Sequence, residues 1–159
     1  MKEKECCSKF EPSRWDGKTF NWKDKTFIKE FIPTFFHIPF PPMIGWKITK
    51  MLKLVEKADV CPAKKDWLVL FYDPSAFKSE LYMSTNGRVE GGVNVKISGS
   101  FMAKVFDGPY NAIPKFIKKM DKYLDGKGKK ALKYYVHYAY CPGCAKKFGK
   151  NYMILFAKV

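Results

Sequence analysis

The spacing of apolar residues changes abruptly at residues 107–109, Asp-Gly-Pro, and this change restricts the fold more than any other feature of the sequence. The largely apolar run 101–106 is interpreted as a short strand with a spacing of about two, whereas beyond the turn apolar residues recur every three or four positions as in a helix. The stretch 99–124 therefore predicts a strand, a tight turn and an amphipathic helix. Within the turn, Asp107 is expected to cap the helix and Gly108 to adopt a positive φ.

The predicted helix has one apolar and one basic face. Its core stripe consists of Ala112, Ile113, Phe116, Ile117, Met120 and Leu124. The opposite face is expected to be solvated without binding a specific ligand, and it carries Lys115, Lys118, Lys119 and Lys122. An earlier helix is predicted over about 43–58, with a core stripe of Ile44, Ile48, Met51, Leu52 and Val55.

The same order of predicted elements occurs twice along the chain. A strand, a proline-containing turn, a helix and two strands are expected over about 25–85 and again over about 95–159. When residues 39–41 are aligned with 107–109, core positions of the two helices coincide, although few letters are identical. This pattern predicts an α+β fold in which two strand-helix-strand-strand halves are related by a pseudo-twofold axis.

Turn signals between the apolar runs set the expected strand and domain boundaries. The strands are expected at about 22–40, 67–72, 79–85, 93–98, 101–106, 133–140 and 151–159, with Pro33 marking a break, bulge or edge in the first. The 159 residues are expected to form one domain. Its predicted parts are a peripheral N-terminal arm at 1–21, a first half at 22–91 and a second half at 92–159.

The chain is strongly basic, with 30 Lys and Arg against 15 Asp and Glu. A basic nucleic-acid-associated protein is one interpretation. However, only Arg14 and Arg88 are arginines, and base readout and phosphate clamps depend on Arg. We therefore expect a solvated lysine-rich surface and no specific nucleic-acid partner. The sequence has neither a membrane-span-length apolar run nor a signal-peptide pattern, which predicts a soluble, cytoplasmic protein without a membrane partner.

The five cysteines are Cys6, Cys7, Cys61, Cys141 and Cys144. An odd number without a secretory signal argues against a disulfide framework. The Cys141-Pro-Gly-Cys144 motif falls in a predicted turn between two strands. Three interpretations of it are open: simple thiols, half of a zinc site, or a redox pair. Zinc would need Cys6 and Cys7, but adjacent cysteines chelate one ion poorly, and a redox pair favours a helix start after a strand. Simple thiols are favoured, and no metal or cofactor is expected.

The turn Gly108-Pro109-Tyr110, together with residues 99–105 before it, resembles the second half of the GyrI-like (gyrase-inhibitory-protein-like) small-molecule-binding domain. The resemblance covers the second half well and the first half only by order of elements. It implies two SHS2-type strand-helix-strand-strand modules about a pseudo-dyad, with a concave cleft for flat or cationic organic ligands. One departure weakens the cation-binding interpretation: many members carry a glutamate on the strand after the second helix, but 133–140 contains no acid.

The ending at 141–152 and the lack of a helix-turn-helix segment resemble the stand-alone, hydrolase-type members of this family. One branch hydrolyses the strained cyclopropane ring of DNA-alkylating natural products of the duocarmycin and yatakemycin type. The resemblance therefore implies a cyclopropanoid hydrolase that protects the cell. Two alternatives stay open, namely a non-catalytic module that sequesters planar or cationic drugs, and a gyrase-interacting protein.

Cyclopropane hydrolysis needs an aromatic slot, a group that deprotonates water, and a donor for the oxygen that gains charge as the ring opens. Glu80 alternates with Leu81 and Met83 and so shares a strand face with Tyr82, which makes Glu80 the best candidate base. A solvated position on a half-buried strand is the alternative. On the later strand, Tyr135 and His137 share one face and are the other catalytic candidates, although a lone histidine among aromatics is often structural.

A planar aromatic molecule is the expected partner, bound in a cleft between the halves into which Glu80, Tyr135 and His137 reach. The expected ligand-contacting residues are Tyr82, Tyr110, Tyr138, Trp46 and Phe40. Tyr138 lies on the opposite strand face from His137, and only one of these two faces can line a cleft.

Overall fold

The computed structural model of the protein describes residues 10–35, 38–39, 41–63, 66–75, 78–140 and 142–159. The fold is α+β, as the sequence predicts. The chain divides into two compact units. The central unit is Trp22–Ser98, and the terminal unit combines Met1–Asn21 with Gly99–Val159. The division therefore falls within two long strands.

Seven strands and three α-helices make up the described fold. In chain order they are β1 Thr19–Phe35, β2 Ile38–Pro39, α1 Pro41–Lys57, β3 Val69–Ser75, β4 Lys78–Ser84, β5 Val93–Asp107, α2 Ile113–Asp125, β6 Lys133–Tyr138, α3 Pro142–Phe148 and β7 Tyr152–Lys158. Apart from β2 in the first half and α3 in the second, strand, helix, strand, strand is the order of β1, α1, β3 and β4, and again of β5, α2, β6 and β7. The pseudo-twofold relation between the two halves stays a prediction.

In the central unit, β1 pairs antiparallel with β2 and β4, and β4 pairs antiparallel with β3. The amphipathic helix α1 packs on one face of this sheet. The core beneath it consists of Ile28, Ile32, Met51, Val55, Val69, Leu81, Met83 and Val89. The remaining predicted stripe residues, Ile44, Ile48 and Leu52, pack against this core, so the predicted buried face of α1 is confirmed.

In the terminal unit, β7 pairs antiparallel with β5 and β6. The helix α2 covers one face, where the core consists of Met102, Phe116, Met120, Leu124, Val136, Met153, Leu155 and Ala157. The four lysines on the other side of α2 are exposed, as predicted. The helical spacing of 3.6 residues per turn therefore predicted correctly which face of α2 is buried and which is exposed.

Residues 10–21 make specific contacts within the terminal unit. The Trp15 ring lies edge-on to Phe156, with ring centroids 6.0 Å apart. The backbone N–H of Gly17 donates to the Ala103 carbonyl, and the Ala103 N–H donates to the Lys18 carbonyl. This described part of the predicted arm is therefore packed and hydrogen-bonded.

The turn before α2 differs from its prediction. Asp107 does not cap α2, because the helix begins at Ile113 and its N-cap residue is Ala112, which makes no side-chain hydrogen bond to the helix. The Asp107 Oδ1 instead accepts a hydrogen bond of 2.8 Å from the Asn151 N–H. Gly108 does not have a positive φ. A Cβ at this position would lie 2.8 Å from the Phe116 Cζ, so any other residue would have to displace the Phe116 ring.

Strand continuity and the cysteine motif also differ from prediction. The strands expected at 93–98 and 101–106 are one strand, β5, with Gly99 at φ +143° inside it. Pro33 lies within β1 opposite Lys78 in a continuous register, so it marks neither a break nor a bulge, and an edge position stays a prediction. The strand β1 ends at Phe35. The helix α3 occupies 142–148, where a turn between strands was expected.

Glu30 on β1 forms ion pairs with Lys47 and Lys50 on α1, with Nζ–Oε distances of 3.1 and 3.4 Å. Burial raises the pKa of Glu30, but the hydrogen bonds and charges of these lysines outweigh burial and hold the pKa below its ordinary value. Because the folded-state pKa is lowered, the ion pairs stabilise the fold at neutral pH. That contribution is lost as the pH falls through the folded-state pKa.

Glu30→Gln is therefore expected to lower the free energy of unfolding by about 0.5–1 kcal/mol at neutral pH, which is typical of partly exposed ion pairs. The difference should disappear well below the ordinary carboxyl pKa of 4.5. Denaturant unfolding of the wild type and the variant, at neutral pH and at a pH well below 4.5, measures this difference in the free energy of unfolding. An equal difference at both values would contradict the assigned ion pairs.

Candidate functional site

Glu80 lies on the face of the central-unit sheet that α1 does not cover. Its neighbours Leu81 and Met83 point toward α1 and belong to the core, so Glu80 and Tyr82 point the other way. The pairing of β1 with β4 sets Phe31 opposite Glu80, and Lys29 opposite Tyr82. These residues come together because successive side chains on paired strands alternate between the two faces.

The contacts of the Glu80 carboxylate include those with Tyr82 and Lys29. The Tyr82 hydroxyl donates to Glu80 Oε2 at 2.7 Å, and Lys29 Nζ lies 2.9 Å from Glu80 Oε1. The side chain of Glu80 is only 15% exposed. We call Lys29, Glu80 and Tyr82 the carboxylate cluster. Charge-assisted contacts of this kind fix the orientation of a carboxylate in a partly desolvated position.

A partly exposed aromatic ring borders the carboxylate cluster. The ammonium of Lys29 lies 4.8 Å from the centroid of the Phe31 ring, and that of Lys78 lies 3.8 Å from it. The Phe31 side chain is 40% exposed. On the inner side, the buried Phe27 meets Tyr82 edge-on at 6.4 Å. A carboxylate, an ammonium, a phenol and an accessible ring thus lie on one sheet face.

The remaining catalytic candidates lie in the terminal unit, on the face of β6 away from α2. Tyr135 and His137 are both buried there, and the Tyr135 ring lies 6.1 Å from that of Phe101. Tyr138 points to the other side and packs against the core under α2. The structure therefore places Tyr135 and His137 on one face and separates Tyr138 from them.

Of the other ligand-contacting candidates, Trp46 lies away from the carboxylate cluster, and the described structure does not place the side chains of Tyr110 and Phe40. Trp46 is 70% exposed on α1, and α1 covers the sheet face opposite to that of Glu80. Tyr110 opens a short 3-10 helix at Tyr110–Ala112, and its side chain lies outside the described structure. Phe40 lies outside the described residues altogether.

Sequence reasoning missed Lys29, Phe31 and Lys78. The alternation of Lys29 and Phe31 along β1 was visible, but nothing local to β1 identifies its partner strand. Only the register between β1 and β4 shows that these side chains border Glu80.

No group of three or more His, Cys, Asp or Glu side chains that could hold a metal ion occurs within the described residues. Cys6, Cys7 and Cys141 lie outside those residues, as does the side chain of Cys144. The three interpretations of the cysteine motif therefore stay open. The helices of the described ranges also include none that is long and apolar enough to cross a lipid bilayer.

Solved structures share this fold at low sequence identity. The C-terminal domain of EcmrR is 14% identical with a TM-score of 0.66, covering 89% of this chain and 93% of that domain. An uncharacterized conserved protein from Listeria innocua is 10% identical with a TM-score of 0.65, over 90% and 92% of the two chains. A hydrolase from Listeria innocua is 10% identical with a TM-score of 0.61, over 91% and 92%. Likeness at these identities concerns the fold alone.

No curated protein matches the sequence. The family model described as "Bacterial hydrolase" matches residues 1–159. This match supports hydrolysis as the general class of activity, and it leaves the substrate open. The chain belongs to the bacterial hydrolase family.

Proposed function

We propose that this bacterial hydrolase adds water to the cyclopropane ring of flat, DNA-alkylating small molecules of the duocarmycin and yatakemycin type, and thereby protects the cell. The observation that carries the proposal is the carboxylate of Glu80, oriented by Lys29 and Tyr82 beside the exposed ring of Phe31. The GyrI-like resemblance of residues 99–110 supports the choice of substrate class.

The proposed reaction adds the elements of water to the substrate and needs no cofactor, oxidant or reductant. Water attacks the least hindered cyclopropane carbon, a carbon–oxygen bond forms, and the strained carbon–carbon bond breaks. The released electron pair moves through the conjugated ring of the substrate to the carbonyl oxygen of that ring. This oxygen becomes the oxygen of a phenolate and takes up a proton from solvent. The carboxylate of Glu80 removes a proton from the attacking water and later returns it to solvent.

Each member of the carboxylate cluster has a role that its contacts support. A carboxylate has about four acceptor positions, so a water molecule can bind Glu80 alongside the donors Lys29 and Tyr82. An ammonium has three donors, so Lys29 can also stabilise the oxygen that gains negative charge. The ring of Phe31 is 40% exposed although the ammonium groups of Lys29 and Lys78 lie against it, and its exposed part is the surface that a flat substrate would contact.

Tyr135 and His137 stay in the proposal as candidates from the terminal unit. A buried imidazole can donate a hydrogen bond to a developing phenolate, and a tyrosine ring can stack or donate. Each is tested by its own substitution, Tyr135→Phe and His137→Gln, with single-turnover rate and affinity measured separately.

The decisive experiment is mass spectrometry of a duocarmycin-type compound incubated with the protein in heavy-oxygen water. Formation of an adduct containing one labelled oxygen, at a rate proportional to protein concentration, is the expected result. Heat-denatured protein is the control for spontaneous opening. If the compound binds in a one-to-one ratio and is recovered intact, sequestration is the function and hydrolysis of this substrate is excluded.

The exposed lysine face of α2 is expected to play no part in small-molecule binding. Replacing Lys115, Lys118, Lys119 and Lys122 together with glutamine should change the dissociation constant of a neutral planar ligand by less than about twofold, as for surface positions in general. Titration calorimetry of the variant and the wild type checks this. A collapse of binding in a folded variant would make these lysines part of the site.

A further inference from the structure

One stripe of α1 combines an exposed indole with three ammonium groups. Trp46, Lys50, Lys53 and Lys57 are separated by four, three and four residues, so they lie above one another along the helix. The buried residues Met51 and Val55 occupy the other side of α1. We call the four residues the Trp-Lys stripe.

The Trp-Lys stripe is accessible and only partly neutralised. Together with Thr49 and Leu54 it lines an open groove of about 450 Å³. Lys50 shares Glu30 with Lys47, whereas Lys53 and Lys57 are exposed and form no ion pair with any described residue. The indole of Trp46 is 70% exposed. It and the ammonium groups of Lys53 and Lys57 are therefore accessible to a partner outside the chain.

We propose that the Trp-Lys stripe docks the protein on an anionic phospholipid bilayer. Lipid phosphates complement the ammonium groups of Lys53 and Lys57, and the indole of Trp46 lies at the headgroup level, where one end of the ring system is apolar and the other is wet. Association of this kind is peripheral and needs no membrane-spanning helix. It revises the expectation, drawn from the sequence, of no membrane partner.

The geometry and composition favour a bilayer over two other anionic partners. A groove lined along one helix is too open to enclose a small ligand, since small-molecule sites bury about 70–90% of the ligand surface. Bidentate phosphate clamps and the commonest base contacts use the guanidinium group of arginine, and the stripe contains no arginine. An anionic bilayer offers both a flat, charged surface for the lysines and a headgroup layer for the exposed tryptophan.

The test measures partition of the full chain onto vesicles made of equal parts of phosphatidylglycerol and phosphatidylcholine, with pure phosphatidylcholine vesicles as the lipid control. Binding is expected only to the anionic vesicles, and it should weaken as salt is added. Lys53→Gln with Lys57→Gln should lower the partition coefficient about 25-fold, about fivefold for each lysine. The matched control replaces Lys118 and Lys122 of α2, which have the same spacing, and should lower it less than about threefold.

Fluorescence distinguishes docking through the stripe from general attraction of a basic protein. Vesicles should shift the tryptophan emission to the blue in the wild type and in Trp22→Phe, but not in Trp46→Phe. The proposal is overturned if the two double-lysine variants lose the same affinity, if Trp46→Phe keeps the shift, or if anionic vesicles do not bind the protein at low salt. Retention on DNA without binding to vesicles would likewise replace the bilayer by a nucleic acid.

Discussion

Glu80→Gln is expected to bind a duocarmycin-type substrate as tightly as the wild type and to open its ring about 100- to 10,000-fold more slowly, the usual contribution of a general base. Glutamine keeps the shape of the side chain and one acceptor oxygen, so the contact with Tyr82 can persist. It cannot take a proton from water. Single-turnover kinetics at saturating substrate measure the chemical step, and an equilibrium titration measures the affinity.

Glu30→Gln is the matched control for this substitution. Glu30 lies on the neighbouring strand opposite Leu81, on the α1 side of the same sheet, and it also pairs with lysines. Its removal should leave the single-turnover rate within about threefold of wild type, as expected of a surface ion pair remote from the reaction. Unchanged rates in Glu80→Gln would remove Glu80 from the mechanism and leave His137 as the candidate base. Equal losses in both variants would indicate a general effect of removing negative charge.

Phe156→Ala is expected to lower the free energy of unfolding by about 3–5 kcal/mol, because it leaves a cavity in the centre of the terminal unit. Phe156 is completely buried on β7, opposite Ala103 and Tyr135 on the neighbouring strands. The rings of Trp15 and Phe20 pack against it, with centroids 6.0 and 6.1 Å away. Thermal unfolding followed by circular dichroism should show a decrease of roughly 10 °C in Tm.

Leu132→Ala is the control, since Leu132 is an apolar residue of the same unit that is 76% exposed. Its removal should change stability by less than about 0.5 kcal/mol. Trp15→Ala gives a second comparison, because it removes a ring that residues 10–21 contribute to the packing around Phe156. If Phe156→Ala were as stable as the control, the packing of β7 described above would be wrong. If only Trp15→Ala were neutral, the N-terminal segment would add no packing energy.

The two long helices could be predicted because their signals are local. The expected helix at about 43–58 corresponds to α1 at Pro41–Lys57, and the apolar stripes of α1 and α2 are the buried ones. Helical spacing repeats within a few residues, so a single sequence carries the information. Predictions at the turn before α2 failed for the complementary reason. Asp107 accepts a hydrogen bond from Asn151, and Gly108 lies against the ring of Phe116. No local sequence pattern indicates either contact.

Strand predictions placed β3, β4, β6 and β7 within a few residues, but they divided β5 into two strands. β6 and β7 lie where alternation and turn residues indicated, but β5 runs through Gly99 without a break. A glycine in a strand pattern predicts a turn or a bulge, whereas β5 continues through Gly99 at φ +143° and pairs with β7 over residues 101–107. The helix α3 was missed because a seven-residue segment containing proline and glycine has no helical period to detect.

The sequence by itself determined the α+β class, the faces of α1 and α2, and the position of Glu80 beside Tyr82 on one side of a strand, because each depends on spacing within one element. Tertiary structure alone decided that Lys29 and Phe31 border Glu80, and that Trp46 faces solvent on the far side of the same sheet. These placements depend on the register between β1 and β4 and on which sheet face the helix covers. Contacts between residues far apart in sequence set both, and shifting the register by one residue would turn every side chain of the strand to the other face.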